Sequence, residues 1–169
     1  MRGYLVMAGY VLLAGCGSGG GGEAPVKEAV AAKLSAGLYE VTAEVKSLAS
    51  TDKTTPATKL KPGDTVAAKA CVSADGVPEP ALLAEAGDPC TPQASYIRNG
   101  RMSLQLTCRR AGDNGNVLVM VDGKFTADGF TGQAETITQF YGKGDYKLSR
   151  TLTAKRVGDC PAGGAKAGA

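Results

Sequence analysis

The sequence predicts a mainly β (α+β) domain, folded as a curved antiparallel meander sheet or half-barrel of about seven strands with one short helix and two disulfides. Three observations support this fold class. Apolar and polar residues alternate in several runs, which is the pattern of strands that bury one face. After Pro92 the runs are separated by turn dipeptides, so neighbouring strands pair antiparallel. Four cysteines between residues 71 and 160 predict two disulfides.

The first predicted strand covers residues 37–48 and the second covers residues 65–72. In the first strand, apolar and polar side chains alternate from Tyr39 to Val45, which predicts one buried face. Residues 49–64 are mainly Ser, Thr, Lys, Pro and Asp, so they predict a long polar loop between the two strands.

The single predicted helix covers residues 81–86. Pro80 precedes this run of Ala and Leu, and Gly87 follows it, which are residues typical of a helix start and a helix end. The helix is barely two turns long, so it supplies little apolar cover for a sheet. We therefore expect the sheet to curl on itself into a partly closed half-barrel.

Five further strands are predicted at residues 93–98, 101–109, 116–127, 130–140 and 146–157. The turns between them are Asn99-Gly100, Asn114-Gly115, Asp128-Gly129 and residues 142–145. Within the third of these strands, Asp122-Gly123 interrupts a β-favouring run, which predicts a bulge rather than a separate hairpin. The alternation predicts that one face packs, with inward side chains at Met102, Leu104, Leu106 and Cys108.

The start of the chain predicts export and lipidation. An apolar run of about ten residues is too short to span a membrane and ends in Leu13-Ala14-Gly15-Cys16, a lipobox. In such a motif the thiol of Cys16 receives the lipid, and cleavage makes this cysteine the first residue. A secretory signal cut after small residues is the alternative. We favour the lipobox because a glycine-rich tether follows Cys16 directly.

The domain organisation follows from this motif. Residues 1–15 are a lipoprotein signal peptide, residues 16–34 are the lipidated cysteine and a flexible tether, residues 35–160 are the β-rich globular domain, and residues 161–169 are a disordered tail. Within the second segment, residues 23–34 are Ala-rich, with apolar residues at spacings of four. This stretch predicts either a short amphipathic helix or more tether, and the alternatives stay open.

The four cysteines beyond Cys16 are expected to form disulfides, because an exported chain meets an oxidising compartment. Cys90 and Cys108 lie nearly equally far from the Asn99-Gly100 turn, so they fall opposite each other across a hairpin. This favours the pairs Cys90–Cys108 and Cys71–Cys160. A zinc site is disfavoured, because the chain has no histidine and no Cys-x-x-Cys pair.

The sequence predicts that the protein is not an enzyme. The absence of histidine excludes the common Ser/His/Asp and Cys/His arrangements. Glu40 and Glu44 share a strand face but lie about 13 Å apart, too far to act as a pair. Glu135 and Asp145 are explained as exposed-face and turn residues. We predict no catalytic residue, no metal and no cofactor beyond a covalent lipid on Cys16.

The partners expected from composition are few. The net charge is +3, which is too small to indicate nucleic acid. A concave apolar face would suit a lipid or another hydrophobic ligand. The interpretation that we favour is that the apolar side chains of this face pack against one another and leave no ligand cavity. Four arginines near the first hairpin would suit anionic lipid or an acidic surface, or are simply solvated: Arg98, Arg101, Arg109 and Arg110.

Several segments resemble one family. The stretch Leu34-Ser35-Ala36-Gly37-Leu38-Tyr39-Glu40-Val41, a cysteine before a short helix, and the stretch Lys155-Arg156-Val157-Gly158-Asp159-Cys160 are similar to the uncharacterised bacterial domain of unknown function 3617. The resemblance runs from about Leu34 to Cys160.

This resemblance implies an exported, lipoprotein-like protein on the periplasmic face of an envelope membrane, and it implies no activity. Gly17 after Cys16 resembles outer-membrane sorting in enteric bacteria, so we favour the outer membrane over the inner. The predicted function is a non-catalytic, membrane-anchored envelope lipoprotein with a structural or interaction role, and we expect a monomer. The alternative is a carrier or sensor of a lipid or other hydrophobic ligand.

Overall fold

Seven β-strands form one antiparallel sheet in the computed structural model, which describes residues 30–162. The strands are β1 (Gly37–Ser50), β2 (Thr65–Val72), β3 (Cys90–Arg98), β4 (Arg101–Cys108), β5 (Gly115–Phe125), β6 (Gly129–Phe140) and β7 (Tyr146–Gly158). The spatial order is β2-β1-β7-β6-β5-β4-β3. Strands β3 to β7 are therefore a meander, and the last strand pairs with the first. The mainly β, curved antiparallel fold with two disulfides is confirmed.

The core lies on one face of the sheet because side chains alternate between buried and exposed positions along the strands. The predicted inward row at Met102, Leu104, Leu106 and Cys108 is buried. These side chains join one apolar cluster with residues from every other strand except β3, which is mostly exposed. The largest fully buried side chains of the cluster include Tyr39, Tyr146, Leu83, Leu148 and Leu152.

The concave face is covered by residues 73–89, a segment that we call the strap. Leu82, Leu83 and Ala84 of the strap are buried against the sheet. The predicted helix at 81–86 is wrong, because the strap has only a 3₁₀ turn at Pro80–Leu82. A helix this short lacks stability of its own, and the strap must extend along the sheet to reach β3.

The sheet has no bulge at Asp122-Gly123, so that prediction is also wrong. The register of β5 with both neighbours continues unbroken through these residues. Gly123 instead faces Gly132 across the strands, and a Cβ at either position would collide with the carbonyl oxygen of the neighbouring strand. These two glycines allow the strands to approach closely. The register shifts lie elsewhere, in β1 opposite β7 and beside Pro92 in β3.

The polar loop at residues 51–64 is tied to the turn between β6 and β7. The Asp52 carboxylate accepts hydrogen bonds from the backbone N–H groups of Gly144 and Asp145, at 2.8 and 3.2 Å, and from Thr54. Hydrogen bonds from the hydroxyl and N–H of Thr54, followed by those from the two backbone groups, hold the pKa of Asp52 well below its usual range.

The start of the described chain is not helical. Residues 30–34 have no regular structure, while Leu34 is buried and the Ser35 N–H donates to the Ala127 carbonyl at 2.7 Å. The predictions for residues 1–15, for residues 16–29 and for the tail beyond residue 162 lie outside the described residues. Among the described residues, no helix has the length and apolar character needed to cross a bilayer.

Candidate functional site

Charged side chains meet beneath the strap, at the end of the sheet where β4 stops. Arg110 follows β4, and its Nε and Nη2 donate to the two carboxylate oxygens of Asp88 at 3.2 and 2.8 Å. The same Nη2 lies 3.3 Å from Oε1 of Glu85. The side chains of Arg110, Glu85 and Asp88 are only 16%, 8% and 5% exposed. The guanidinium group of Arg110 therefore bridges two nearly buried carboxylates of the strap.

Tyr146, the first residue of β7, completes this contact. Its hydroxyl donates to Oε1 of Glu85 at 2.5 Å and accepts from Nη1 of Arg110 at 2.7 Å. Oε2 of Glu85 accepts from the Thr58 hydroxyl at 3.0 Å. Burial, and then the hydrogen bond and charge of Glu85, raise the pKa of Tyr146 well above its usual value. Tyr146 is thus held as a neutral donor.

Arg150 lies deeper, in the middle of β7, and is 3% exposed. Its Nη2 and Nη1 donate to the strap carbonyls of Leu83 and Ala84 at 2.7 and 3.2 Å. Burial lowers the pKa of Arg150. Its Nε has no hydrogen-bond partner within residues 30–162. We call the group formed by Glu85, Asp88, Arg110, Tyr146 and Arg150 the strap cluster. Its two arginines balance its two carboxylates, and every member contacts the strap or belongs to it.

A cleft of about 360 Å³ lies beside the strap cluster, between the strap, the loop at residues 57–60 and the inner face of β1 and β2. Its walls are mainly apolar, with Val41, Ala68 and Leu82 among them, and it reaches Arg110 and Arg150. This volume is within the range of small-ligand sites.

The cysteines predicted to pair are joined in two disulfides. Cys90 and Cys108 are directly opposite in the register of β3 and β4, with their Cα atoms 3.9 Å apart. Cys71 at the end of β2 is bonded to Cys160 after β7, with a Cα separation of 5.9 Å. One disulfide therefore lies near each end of the sheet. Cys16, the predicted lipidation site, lies outside the described residues.

The carboxylates considered for catalysis are held apart by other partners. Glu40, Glu44 and Glu135 form ion pairs with lysines, at 3.6, 2.6 and 2.7 Å. Asp145 accepts a hydrogen bond from the backbone N–H of Phe140 at 2.8 Å. In the part of the chain that the structure describes, no group of three or more His, Cys, Asp or Glu residues is arranged to hold a metal ion.

The four arginines near the first hairpin do not form one patch. Arg98 and Arg101 flank the Asn99-Gly100 turn, whereas Arg109 and Arg110 follow the other end of β4, about 25 Å away along the strand. Arg110 points into the strap cluster and is not part of a solvated face. The sequence therefore did not reveal that Arg110 points inward, whereas Arg98, Arg101 and Arg109 lie outside the strap cluster.

The strap cluster itself was not predicted from the sequence. Its hydrogen bonds join residues 22, 36 and 61 positions apart, between the strap, the end of β4 and the start of β7. No local periodicity connects such positions. The one available signal was a pair of acids, Glu85 and Asp88, in a segment whose apolar residues are buried.

Comparison with known proteins places this fold in a family. No curated protein matches the chain, and no solved structure matches it. A family model described as "Protein of unknown function (DUF3617)" matches residues 34–160, which include all seven strands, the strap cluster and both disulfides. Because the match covers most of the sequence, the chain belongs to the DUF3617 family.

Proposed function

We propose that the protein is a non-catalytic, lipid-anchored lipoprotein of the bacterial cell envelope, with a structural or interaction role. The observation that carries the non-catalytic part is the strap cluster. Its carboxylates, tyrosine and arginines bind one another and the strap, so the nearly buried charges near the cleft serve to attach the strap. The charged groups of the strap cluster hold the strap in place. Within this cluster, no acid stands beside a base with both free to transfer a proton.

The membrane attachment rests on Leu13-Ala14-Gly15-Cys16. We propose that Cys16 carries the lipid as the protein's covalent modification, with no other cofactor. The domain then faces the periplasm from the outer membrane, as a monomer. Its partners are the membrane and an envelope protein or lipid, and nucleic acid is not among them. Diacyl anchoring of this kind is stable without a spanning helix.

Replacing the lipidated residue tests the anchor. In Cys16→Ser, the full-length protein should lose incorporation of labelled palmitate and should no longer fractionate with membranes as the processed form. The matched control is Ser18→Ala, two residues further on, which leaves the motif intact. Continued palmitate labelling of the Cys16→Ser protein would contradict the proposal.

A second candidate function is that of a carrier or sensor of a lipid or other hydrophobic ligand. The cleft of about 360 Å³ on the concave side favours it. Ala68 lines this cleft, while the adjacent Ala67 is exposed on the other face of β2. Ala68→Phe should therefore remove a co-purifying ligand that Ala67→Phe retains, as measured by mass spectrometry of organic extracts. Extracts of the unaltered protein that contain no such ligand would exclude the carrier function.

A further inference from the structure

Three cationic side chains lie side by side on the outer face of the sheet, at directly opposite positions on neighbouring strands. The stability of the fold does not account for this arrangement. Arg98 is paired with Arg101 across β3 and β4, and Arg101 is paired with Lys124 across β4 and β5. All three side chains are exposed. We call them the basic row. Like charges directly opposite each other on neighbouring strands destabilise a sheet, so the row has an unfavourable effect on the folded domain.

Three other lysines of the outer face differ from the basic row in having acidic partners, and Lys155 lies directly opposite Glu40 in the register of β1 and β7. Lys147, Lys46 and Lys69 form ion pairs with Glu135, Glu44 and Glu40. Within residues 30–162, no member of the basic row forms an ion pair. Asp122 lies on the same face one row behind Lys124, where its cross-strand partner is Ser103, and Asp128 lines a cleft together with Arg101 and Lys124.

An exposed aromatic side chain adjoins the basic row. Tyr96 is 50% exposed, and the guanidinium of Arg98 lies 5.4 Å from the centre of its ring. A tyrosine beside arginines combines an apolar ring with a polar hydroxyl, which suits the boundary between water and a bilayer. The row therefore has the charge and the aromatic character of a surface that contacts lipid headgroups.

The basic row also lies at the end of the sheet where the described chain begins. Val30 and Ala31 line a cleft of about 770 Å³ together with Arg101 and Lys124. The N–H of Gly100, in the turn that leads into β4, donates to the Ala31 carbonyl at 3.1 Å. The chain that comes from Cys16 thus enters the fold beside the row. Val30 follows Cys16 by 14 positions, which can span at most about 50 Å.

We propose that the basic row is the surface with which the domain lies against anionic phosphate headgroups of its own membrane. This proposal rests on the lipid anchor proposed above, because the anchor brings this end of the sheet within reach of the bilayer and raises the local headgroup concentration. Arginine forks bind phosphate oxygens in pairs, and each added cation strengthens attraction to an anionic surface. The anchor determines that the domain stays at the membrane, and the row determines which side faces it.

Vesicle binding by the unlipidated chain tests the row separately from the anchor. A chain that starts at Gly17 keeps all seven strands, the strap and both disulfides, which lie between residues 37 and 160. We expect it to sediment with vesicles of equal parts phosphatidylglycerol and phosphatidylcholine, and not with vesicles of phosphatidylcholine alone. High salt should release it, because salt screens attraction between exposed charges.

Charge reversal identifies the residues. Arg101→Glu/Lys124→Glu should lower binding to the anionic vesicles by roughly tenfold or more. The matched control is Lys53→Glu/Lys61→Glu, which changes the net charge equally in the exposed loop at the opposite end of the sheet and should keep most of the binding. Both variants should retain the urea unfolding midpoint of the unaltered chain, which establishes that they are folded.

Several outcomes would overturn the proposal. These are equal losses in the two double variants, equal binding to neutral vesicles, no binding to anionic vesicles, or capture of an acidic envelope protein through the row without vesicle binding. None of these results affects palmitate labelling at Cys16, so the failure of this proposal and the failure of the lipid anchor are distinguishable.

Discussion

Arg101 and Arg110 stand at opposite ends of the same strand and have opposite roles. Arg101 begins β4 on the exposed face, between the cations Arg98 and Lys124. Arg110 follows β4 and is enclosed by Glu85 and Asp88 of the strap. The residue type is identical, but the neighbours differ. The difference between these two arginines teaches that position along β4 alone does not set the role of an arginine: Arg110 supports the fold because the strap supplies carboxylates beside it, and Arg101 has no such partner.

The largest effect expected is that of removing the inward arginine. Arg110→Met should lower the free energy of unfolding by about 3 kcal/mol, because Glu85 and Asp88 then remain nearly buried without their cation. Urea unfolding of the oxidised protein measures this change. The strap should also become more accessible to proteases, since two of its attachments to the sheet are lost.

The same substitution at the outward arginine is the control. Arg101→Met should change the free energy of unfolding by no more than about 0.5 kcal/mol, and a small gain is expected because one like-charge neighbour is removed from the row. Comparable losses at Arg101 and Arg110 would show that the proposed division of roles is wrong.

A smaller effect is expected from Tyr146, and it depends on pH. Tyr146→Phe should cost about 1 to 2 kcal/mol near pH 7, because the Glu85 carboxylate loses a hydrogen-bond donor. In the folded protein the pKa of Tyr146 is raised above its ordinary value of 10.0. Stability from this group is therefore fully present below about pH 10 and is lost as pH rises towards the folded pKa.

Unfolding measured between pH 8 and pH 11 tests this dependence. The stability difference between the unaltered protein and Tyr146→Phe should shrink above about pH 10. Tyr141→Phe is the matched control, since Tyr141 is 87% exposed and should show no such change. A difference that stays constant across this range would contradict the hydrogen bond from Tyr146 to Glu85 as the cause.

Most of the fold was predictable because its signals are local. Alternation marks the strands, and Asn99-Gly100 and Asp128-Gly129 mark tight turns between them. The two errors arose where a local pattern competes with packing. The Ala- and Leu-rich run at residues 81–86 favours a helix in isolation, but the concave face needs an extended cover. Gly123 by itself suggests a bulge in β5. In the structure it lies directly opposite Gly132 of β6, and the two glycines allow close approach of the strands without a change of register.

The sequence by itself determined the strand pattern, the meander and the cysteine spacing across the first hairpin, because each depends on residues that are close along the chain. Only the tertiary structure decided which charges meet. Glu85 reaches Tyr146 across 61 positions, and Arg98, Arg101 and Lys124 become a row only through the register of three strands. Register and strap placement come from the burial of the whole core, so no single segment encodes them.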